Sequence, residues 1–247
     1  MIPCPPVEWR QPAEPPAEVT TKPAPASAPG YASQLRPSRW GWVAQKQWCV
    51  WVEPGPTTDR WNQRWQTAVT TALSTWGEQV RLVRVSNPED AQLRLWRRRP
   101  PLQNGRASHG RALLQLQQVQ RQGRDSSALE PLVEVLISPG QRQAAIQATA
   151  LHELGHGFGL WGHSELSSDV MGAVPSAKPA LELSERDQQT LQWLFDQPSA
   201  LPTAPPQTTA PEPAPPSDLT ADWTLPIQTT PPPPTALRSL QPAARRR

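Results

Sequence analysis

Three of the four histidines in this chain lie close together, at spacings that could bind a metal. His152 and His156 are four residues apart, so on a helix they share one face one turn apart. Glu153 lies between them, Gly159 offers the backbone freedom with which helices commonly end, and His163 follows. Imidazoles so placed can bind one Zn²⁺, and the adjacent carboxylate can accept a proton from water at the metal. The pattern predicts a catalytic zinc site.

The distribution of proline divides the chain into three parts. Of its 33 prolines, 10 fall in residues 1–37 and 14 in residues 197–247, whereas most tryptophans lie between these segments. Proline-rich segments with few large apolar side chains bury too little surface to offset the entropy lost on ordering. The composition predicts a disordered arm over residues 1–40, a folded domain over 41–197 and a disordered tail over 198–247.

Charge and cysteine content exclude several classes of protein. The net charge is +3 and its arginine clusters belong to no recognisable nucleic-acid-binding module, so no nucleic-acid partner is expected. Two cysteines make no disulfide framework; we expect Cys49 to be a small core residue and Cys4 to lie in the disordered arm. No run of about 18 apolar residues occurs, so no membrane span is expected. The first thirty residues have no apolar h-region, so no signal peptide is expected in the chain as written.

Apolar periodicity predicts two long helices and five strands. Apolar residues recur every three or four positions from Trp61 to Trp76, which is typical of a helix with one buried face. An alanine-rich run from Gln141 predicts a second helix that leads into His152. Runs that are rich in β-branched residues or that alternate with period two predict strands at residues 48–52, 80–85, 92–96, 113–120 and 132–137.

The strand at residues 113–120 alternates apolar residues with glutamine, as expected of a strand with one face in water. Such a strand can form a sheet edge and pair with an extended peptide. Leu114, Leu116 and Gln118 are our candidates for contact with a substrate strand. The order of elements predicts an α/β layer in which helices pack against a five-stranded sheet.

Two features follow the histidines. Met171 is the only methionine apart from Met1. Farther on, Ser184 with Asp187 three residues later resembles a capping box, and the apolar residues after it predict a last helix near the end of the domain.

These motifs together resemble the metzincin clan of zinc endopeptidases, and within it the matrixin-like peptidases of bacteria and cyanobacteria. The resemblance covers residues 45–196. It implies a five-stranded twisted mixed sheet with an antiparallel edge strand, packed on two long helices, and a small C-terminal subdomain that ends in a helix. It also implies a tight turn at Met171 that supports the histidines by packing. The resemblance rests on His152-Glu153-x-x-His156-x-x-Gly159 with a following histidine, on Asp169-Val170-Met171 and on Leu183-Ser184-x-Arg186-Asp187-x-x-Thr190-Leu191.

Two departures from the family pattern affect the metal site. The usual third histidine lies ten residues after the first, where this chain has Gly162, and the histidine comes one residue later at His163. We expect Gly162 to absorb the extra residue and His163 to bind the metal; a site completed by another group, such as Asp169, is the alternative. The loop that holds structural ions in animal matrixins is missing, and His109 alone cannot replace it. One catalytic zinc and no structural zinc or calcium are therefore expected.

The resemblance implies a zinc-dependent endopeptidase that acts on proteins or peptides. Three neutral imidazoles leave one position for water, whose pKa falls to about 7 in well-studied zinc enzymes. Glu153 would act as the general base, taking a proton from that water during its attack on the scissile carbonyl and passing it to the leaving amine. The alternative is a catalytically inactive domain that acts as a binding or scaffold protein through its proline-rich tails and polyproline-recognising partners.

Two further expectations concern location and regulation. The resemblance implies a secreted or periplasmic protein; because the chain as written carries no signal peptide, a cytoplasmic protein or a misplaced start site are the alternatives. A pro-segment whose thiol, Cys4, blocks the zinc is conceivable, but the proline-rich sequence around Cys4 gives it little support. The protein is expected to be a monomer.

Overall fold

The computed structural model describes residues 4–15, 21–102, 105, 107–174, 178–199 and 201. Within these ranges the chain forms six strands and three α-helices. The helices are α1 (Arg60–Gly77), α2 (Gln143–Gly157) and α3 (Glu185–Phe195). The strands are β1 (Val7–Pro12), β2 (Gln47–Val52), β3 (Arg81–Arg84), β4 (Leu93–Trp96), β5 (Gly110–Arg121) and β6 (Ala128–Ile137). No helix in the described ranges is long and apolar enough to span a bilayer.

All six strands form one mixed sheet in the order β1-β5-β6-β4-β2-β3. The strands β3, β2, β4 and β6 are parallel, β5 is antiparallel to β6, and β1 is antiparallel to β5. The mixed α/β architecture agrees with the sequence-based expectation. The antiparallel strand β5 was expected at the edge of the sheet, but β1 pairs with its outer side. The expected number of strands is wrong by one, because β1 comes from the segment predicted to be disordered and pairs along the outer edge of β5.

The core of the domain lies between the sheet and the helices α1 and α2. The indole of Trp65 on α1 donates to the carbonyl oxygen of Ile137 at 3.2 Å, and that of Trp76 donates to Leu151 of α2 at 3.0 Å. Both of these buried tryptophans thus have a partner for their one polar group. Phe158, just after α2, packs edge-on against Trp76 at 5.4 Å. These contacts fix α2 against both α1 and the sheet.

The start of the chain is also ordered in the described ranges, which corrects the prediction for residues 1–40. Cys4 and Cys49 form a disulfide, with Cα atoms 5.8 Å apart. Cys49 is therefore not a free thiol in the core, and Cys4 is not a free thiol that could block a metal. The composition of the arm is misleading because β1 is held by backbone pairing, and most of its own side chains stay exposed.

A buried ion pair anchors the start of the chain to the end of β5. Arg121 is 2% exposed and contacts Glu130 at 2.7 Å. The same guanidinium donates to the carbonyl oxygen of Pro5 at 2.8 Å. The backbone N–H of Val7 donates to the carboxylate of Asp90, also at 2.8 Å. Together with the disulfide, these bonds hold β1 in place.

The folded domain extends slightly past its predicted end at residue 197. The Ser199 hydroxyl donates to the carbonyl oxygen of Trp42 at 3.2 Å. Leu201 is buried against Val43 and Leu116. The rest of the tail predicted over residues 198–247 lies outside the described residues, apart from Pro198.

Candidate metal centre

Three histidines from α2 and the loop after it converge on one point. His152 and His156 lie one turn apart on α2, and His163 reaches the same place from the loop. One ring nitrogen from each residue lies within 4.8 Å of the other two. Within the described parts of the chain, these side chains form a group that could hold a metal ion.

Hydrogen bonds to backbone carbonyls decide which nitrogen of each helical imidazole is free. Nδ1 of His152 lies 2.8 Å from the carbonyl oxygen of Val170, and Nδ1 of His156 lies 2.8 Å from that of Leu160. Because a carbonyl oxygen only accepts, each Nδ1 must carry the hydrogen and donate it. The lone pair of both rings is then on Nε2, and such a backbone partner is what orients metal-binding histidines in proteins.

Burial lowers the pKa of all three imidazoles, although His163 is the most exposed of them, and so favours their neutral form. It is the main cause that lowers the pKa of His156 to about 3, and the neighbouring His152 adds to the effect. Burial likewise lowers the pKa of His152 and of His163. Neutral imidazole is the form that binds metals, and three nitrogen ligands with one open position are typical of catalytic Zn²⁺ sites. The donor set therefore fits a zinc ion.

A tight turn leads from α2 to the third histidine. Gly159 has a φ of 109°, a conformation that glycine adopts readily and other residues rarely do. Trp161 then stacks on His156, with ring centroids 5.4 Å apart, and His163 stacks on His152 at 5.2 Å. The turn thus returns the chain to the face of α2 that carries the first two histidines.

The N-terminal segment braces this turn. Gly162 lies so close to the backbone of Gln34 that a side chain there would collide with it. The N–H of Arg36 donates to the carbonyl oxygen of Trp161 at 2.9 Å. The extra residue before His163 therefore falls where two segments touch, and it does not keep His163 out of the histidine group.

Asp169, the alternative third ligand, is bonded elsewhere. One carboxylate oxygen accepts hydrogen bonds from the Ser164 hydroxyl at 2.5 Å and from Nε of Arg186 at 3.0 Å. The residue is 3% exposed and is not a member of the histidine group. Its contacts instead close the loop that begins just after His163.

Replacement of His163 by alanine should weaken Zn²⁺ binding by more than about 100-fold, since even the outer partners of zinc ligands contribute 10–100-fold. The measurement is a competition titration of the purified protein with a chromophoric chelator. His109→Ala is the matched control, because His109 is exposed and outside the group. Unchanged affinity in His163→Ala would assign the third ligand to another residue.

A chain of hydrogen bonds lies behind His152. Val170, whose carbonyl oxygen accepts from His152, donates its own N–H to the carboxylate of Asp187 at 2.9 Å. The hydroxyl of Tyr31 donates to the other oxygen of Asp187 at 2.7 Å. Asp187 also completes the capping box of α3 with Ser184, as the sequence predicts. The orientation of His152 is thus tied both to α3 and to the N-terminal segment.

Met171 follows Val170, a member of this series of hydrogen bonds, and its side chain is fully buried. Its sulfur packs against Gly155 of α2, where any side chain would collide with it. Gly155 lies on α2 between the two helical histidines. This position is compatible with the support that Met171 is predicted to give to the histidines, and that role stays a prediction.

The side chain of Glu153 points from α2 toward the first residues of β5. It is 9% exposed, and the backbone N–H of Ala112 donates a hydrogen bond to its carboxylate. Burial raises the pKa of Glu153 to about 7, against the opposing effects of the Ala112 N–H and of Arg111. A carboxyl group with this pKa, held by one donor, is suited to accept and release a proton near neutral pH.

The histidines and Glu153 share one cavity with the start of β5. Its volume is about 800 Å³, and Trp161, Gly110 and Ala112 also line it. Gly110 touches the Glu153 side chain, so that a Cβ there would come within 2.5 Å of its Cγ. Sequence reasoning missed both strand residues. A glycine at the start of an alternating strand, such as Gly110, is a weak sign that another group approaches the backbone closely. No sequence signal marks Ala112, because it contacts Glu153 through its backbone N–H.

The three residues predicted to contact a substrate strand differ in accessibility. The carbonyl oxygen of Leu116 accepts from the N–H of Ala13, and Gln118 lies opposite Gln11 of β1. Both positions are already paired, which corrects the prediction that they form an open edge. Leu114 is half-buried and lies beyond the end of β1.

Comparison with known proteins gives no assignment, because no family model matches the chain and no curated protein matches it either. The function must therefore be argued from the histidine group, from Glu153 and from the edge of β5.

Proposed function

We propose that this protein is a zinc-dependent endopeptidase of the metzincin type, with His152, His156 and His163 as zinc ligands. One observation carries the proposal: three neutral imidazoles converge in the cavity that also holds a buried carboxylate and the end of a sheet edge. Peptide hydrolysis of this type requires a metal, a base and a surface that can pair with an extended chain.

The residues of the chain divide the chemistry among them. A zinc ion held by the three imidazoles would supply Lewis acidity toward a peptide carbonyl and toward water. Glu153 takes one proton from the attacking water and delivers it to the nitrogen of the breaking C–N bond, so that a carboxylic acid and an amine result. The N–H of Ala112 holds the Glu153 carboxylate in place, and most of the Glu153 side chain is buried.

The open part of β5 is the proposed place of the substrate backbone. Leu114 lies two residues from Ala112 on the same edge, because the outward-facing groups of an antiparallel strand alternate. A peptide that pairs with Leu114 would pass directly beside Glu153. Backbone pairing of this kind supplies affinity with little dependence on sequence.

The test is metal content together with peptide cleavage by the full-length protein. We expect one Zn²⁺ per chain, cleavage of a quenched peptide library and of casein, loss of cleavage on chelation, and recovery when Zn²⁺ is restored. Products are identified by mass spectrometry. One bound zinc without any cleavage would favour the alternative of an inactive binding domain.

Substitution of Gly110 by alanine should lower kcat about 100-fold with little change in zinc content. The added methyl group collides with Glu153 and displaces the base, and misplacement by about 1 Å can cost this much. Steady-state kinetics on a cleavable peptide, with metal analysis, give the measurement. Gly140→Ala is the matched control because nothing lies near that position. Equal losses in the two variants would speak against a specific role of Gly110.

A further inference from the structure

The outer edge of β5 is divided into a covered part and an open part. β1 pairs with residues 117–121, and Ala13 adds one more bond at Leu116. The next described residue after Pro15 is Thr21, which lies against Gly41. Among the described residues, no backbone group pairs with the outer edge of β5 from Gly110 to Gln115.

The open part of this edge is the part beside the candidate active site. The carbonyl oxygen of Leu116 and the N–H of Ala112 both face outward, toward Ala13 and toward Glu153. Because outward-facing groups recur at every second residue, the N–H and carbonyl of Leu114 face the same way. An extended peptide bonded to Leu114 would continue the line of β1 toward the histidines.

The direction of β1 fixes the direction of such a peptide. β1 is antiparallel to β5 and runs from Arg121 toward Gln117. A peptide in the same line, paired in the same antiparallel sense, would have its N-terminus against Ala13 and its C-terminal part beyond Glu153. From Leu116 to Ala112 is four residues, about 14 Å of strand, so only about three residues fit between the end of β1 and the reacting bond.

A negatively charged side chain lies at Ala13, where the covered part of the edge ends. A cavity of about 720 Å³ opens there, lined by Pro12, Ala13, Glu14, Trp40, Gln118 and Leu129 among others. Of the described residues around it, Glu14 alone is charged, and its carboxylate is exposed. A free α-amino group, which is largely protonated at neutral pH, would complement this carboxylate.

We infer that β1 acts as a stop on the substrate edge, and that the substrates are peptides or protein N-termini cleaved about three residues from a free α-amino group. The inference rests on the proposed peptidase function and narrows it to bonds near an N-terminus. Longer N-terminal extensions would meet Ala13 and would have to leave the edge, so they would lose backbone hydrogen bonds to β5.

The first test is a ladder of peptides that share one cleavable sequence and differ in the number of residues before the cleaved bond. For the wild-type protein, kcat/KM should be highest near three residues and fall by about tenfold or more for long extensions, the equivalent of one or two lost hydrogen bonds. Acetylation of the N-terminus should also lower kcat/KM. A rate that is independent of N-terminal length, or that depends on C-terminal length instead, would overturn the inference.

Two variants test whether Glu14 recognises the free α-amino group of the substrate. Glu14→Gln should reduce the preference for a free over an acetylated N-terminus, whereas Glu8→Gln, an exposed glutamate on β1, should leave it unchanged. Equal effects of the two substitutions would rule out recognition by Glu14. Both residues are exposed, so neither change removes a buried contact.

A binding measurement distinguishes failure of this inference from failure of the peptidase proposal. Full-length Glu153→Ala protein, loaded with Zn²⁺, is titrated with alanine-based peptides that carry a C-terminal fluorophore and N-terminal extensions of different length. Tighter binding of the short peptides would support β1 as a stop on this edge even if the wild-type protein cleaved nothing, whereas the cleavage position would then fail together with the peptidase proposal. Binding that is insensitive to N-terminal length would reject it even if the wild-type protein proved to be a peptidase.

Discussion

Replacement of Glu153 by alanine should lower kcat for peptide cleavage about 10²–10⁴-fold, the usual contribution of a general base. Among the described residues that line the cavity of the three histidines, Glu153 is the one carboxylate. Its removal takes away the group that accepts and returns the proton, but it leaves all three imidazoles in place. The measurement is steady-state cleavage of a peptide together with the zinc content of the same preparation.

The matched control for this prediction is Glu78→Ala, which removes an exposed glutamate at the end of α1. It should retain both zinc and activity. If Glu153→Ala cleaved as fast as the wild type, Glu153 would not be the base. If the variant lost zinc along with activity, the loss of metal would explain the result and the test would have to be repeated at saturating Zn²⁺.

Loss of the disulfide between Cys4 and Cys49 should lower the free energy of unfolding by about 4 kcal/mol, the chain-entropy value for a loop of this size. The two cysteines are 45 residues apart in sequence, and the described chain has no free cysteine. Urea denaturation of Cys4→Ala, compared with the oxidised wild type, gives the measurement. Cys4 is the preferable position because Cys49 lies within the buried strand β2.

The reductant gives the control for this second prediction. Dithiothreitol should destabilise the wild-type protein by a similar amount and have no further effect on Cys4→Ala. A wild-type protein whose denaturation curve is the same with and without reductant would show that the disulfide does not form or does not stabilise the fold.

The first two histidines and the helix that carries them could be predicted because their signal is local. A spacing of four residues places His152 and His156 on one helical face whatever the surrounding fold may be. The same holds for the buried stripe of α1 and for the cap at Ser184, which depend on neighbours three or four residues away. All five predicted strands are present for the related reason that β-branched content and period-two alternation are both local properties of a short segment.

The features that were missed depend on residues far apart in sequence. β1 has few buried side chains, so its order comes from pairing with β5, more than a hundred residues away. The pairing of Cys4 with Cys49 likewise requires the folded sheet. The hydrogen bond from Ala112 to Glu153 involves a backbone group, which residue type does not reveal. For these features, composition and periodicity carry no information.

The N-terminal segment contacts the loop that carries His163, and these contacts have a consequence for proteolytic processing. Composition suggests that the domain could begin at residue 41, yet a chain trimmed there would lose the Arg36 bond to Trp161 and the Tyr31 bond to Asp187. These bonds hold the loop of His163 and the chain of contacts behind His152. Removal of the residues before position 41 should therefore loosen the loop of His163 and the orientation of His152, and so weaken metal binding at the proposed site.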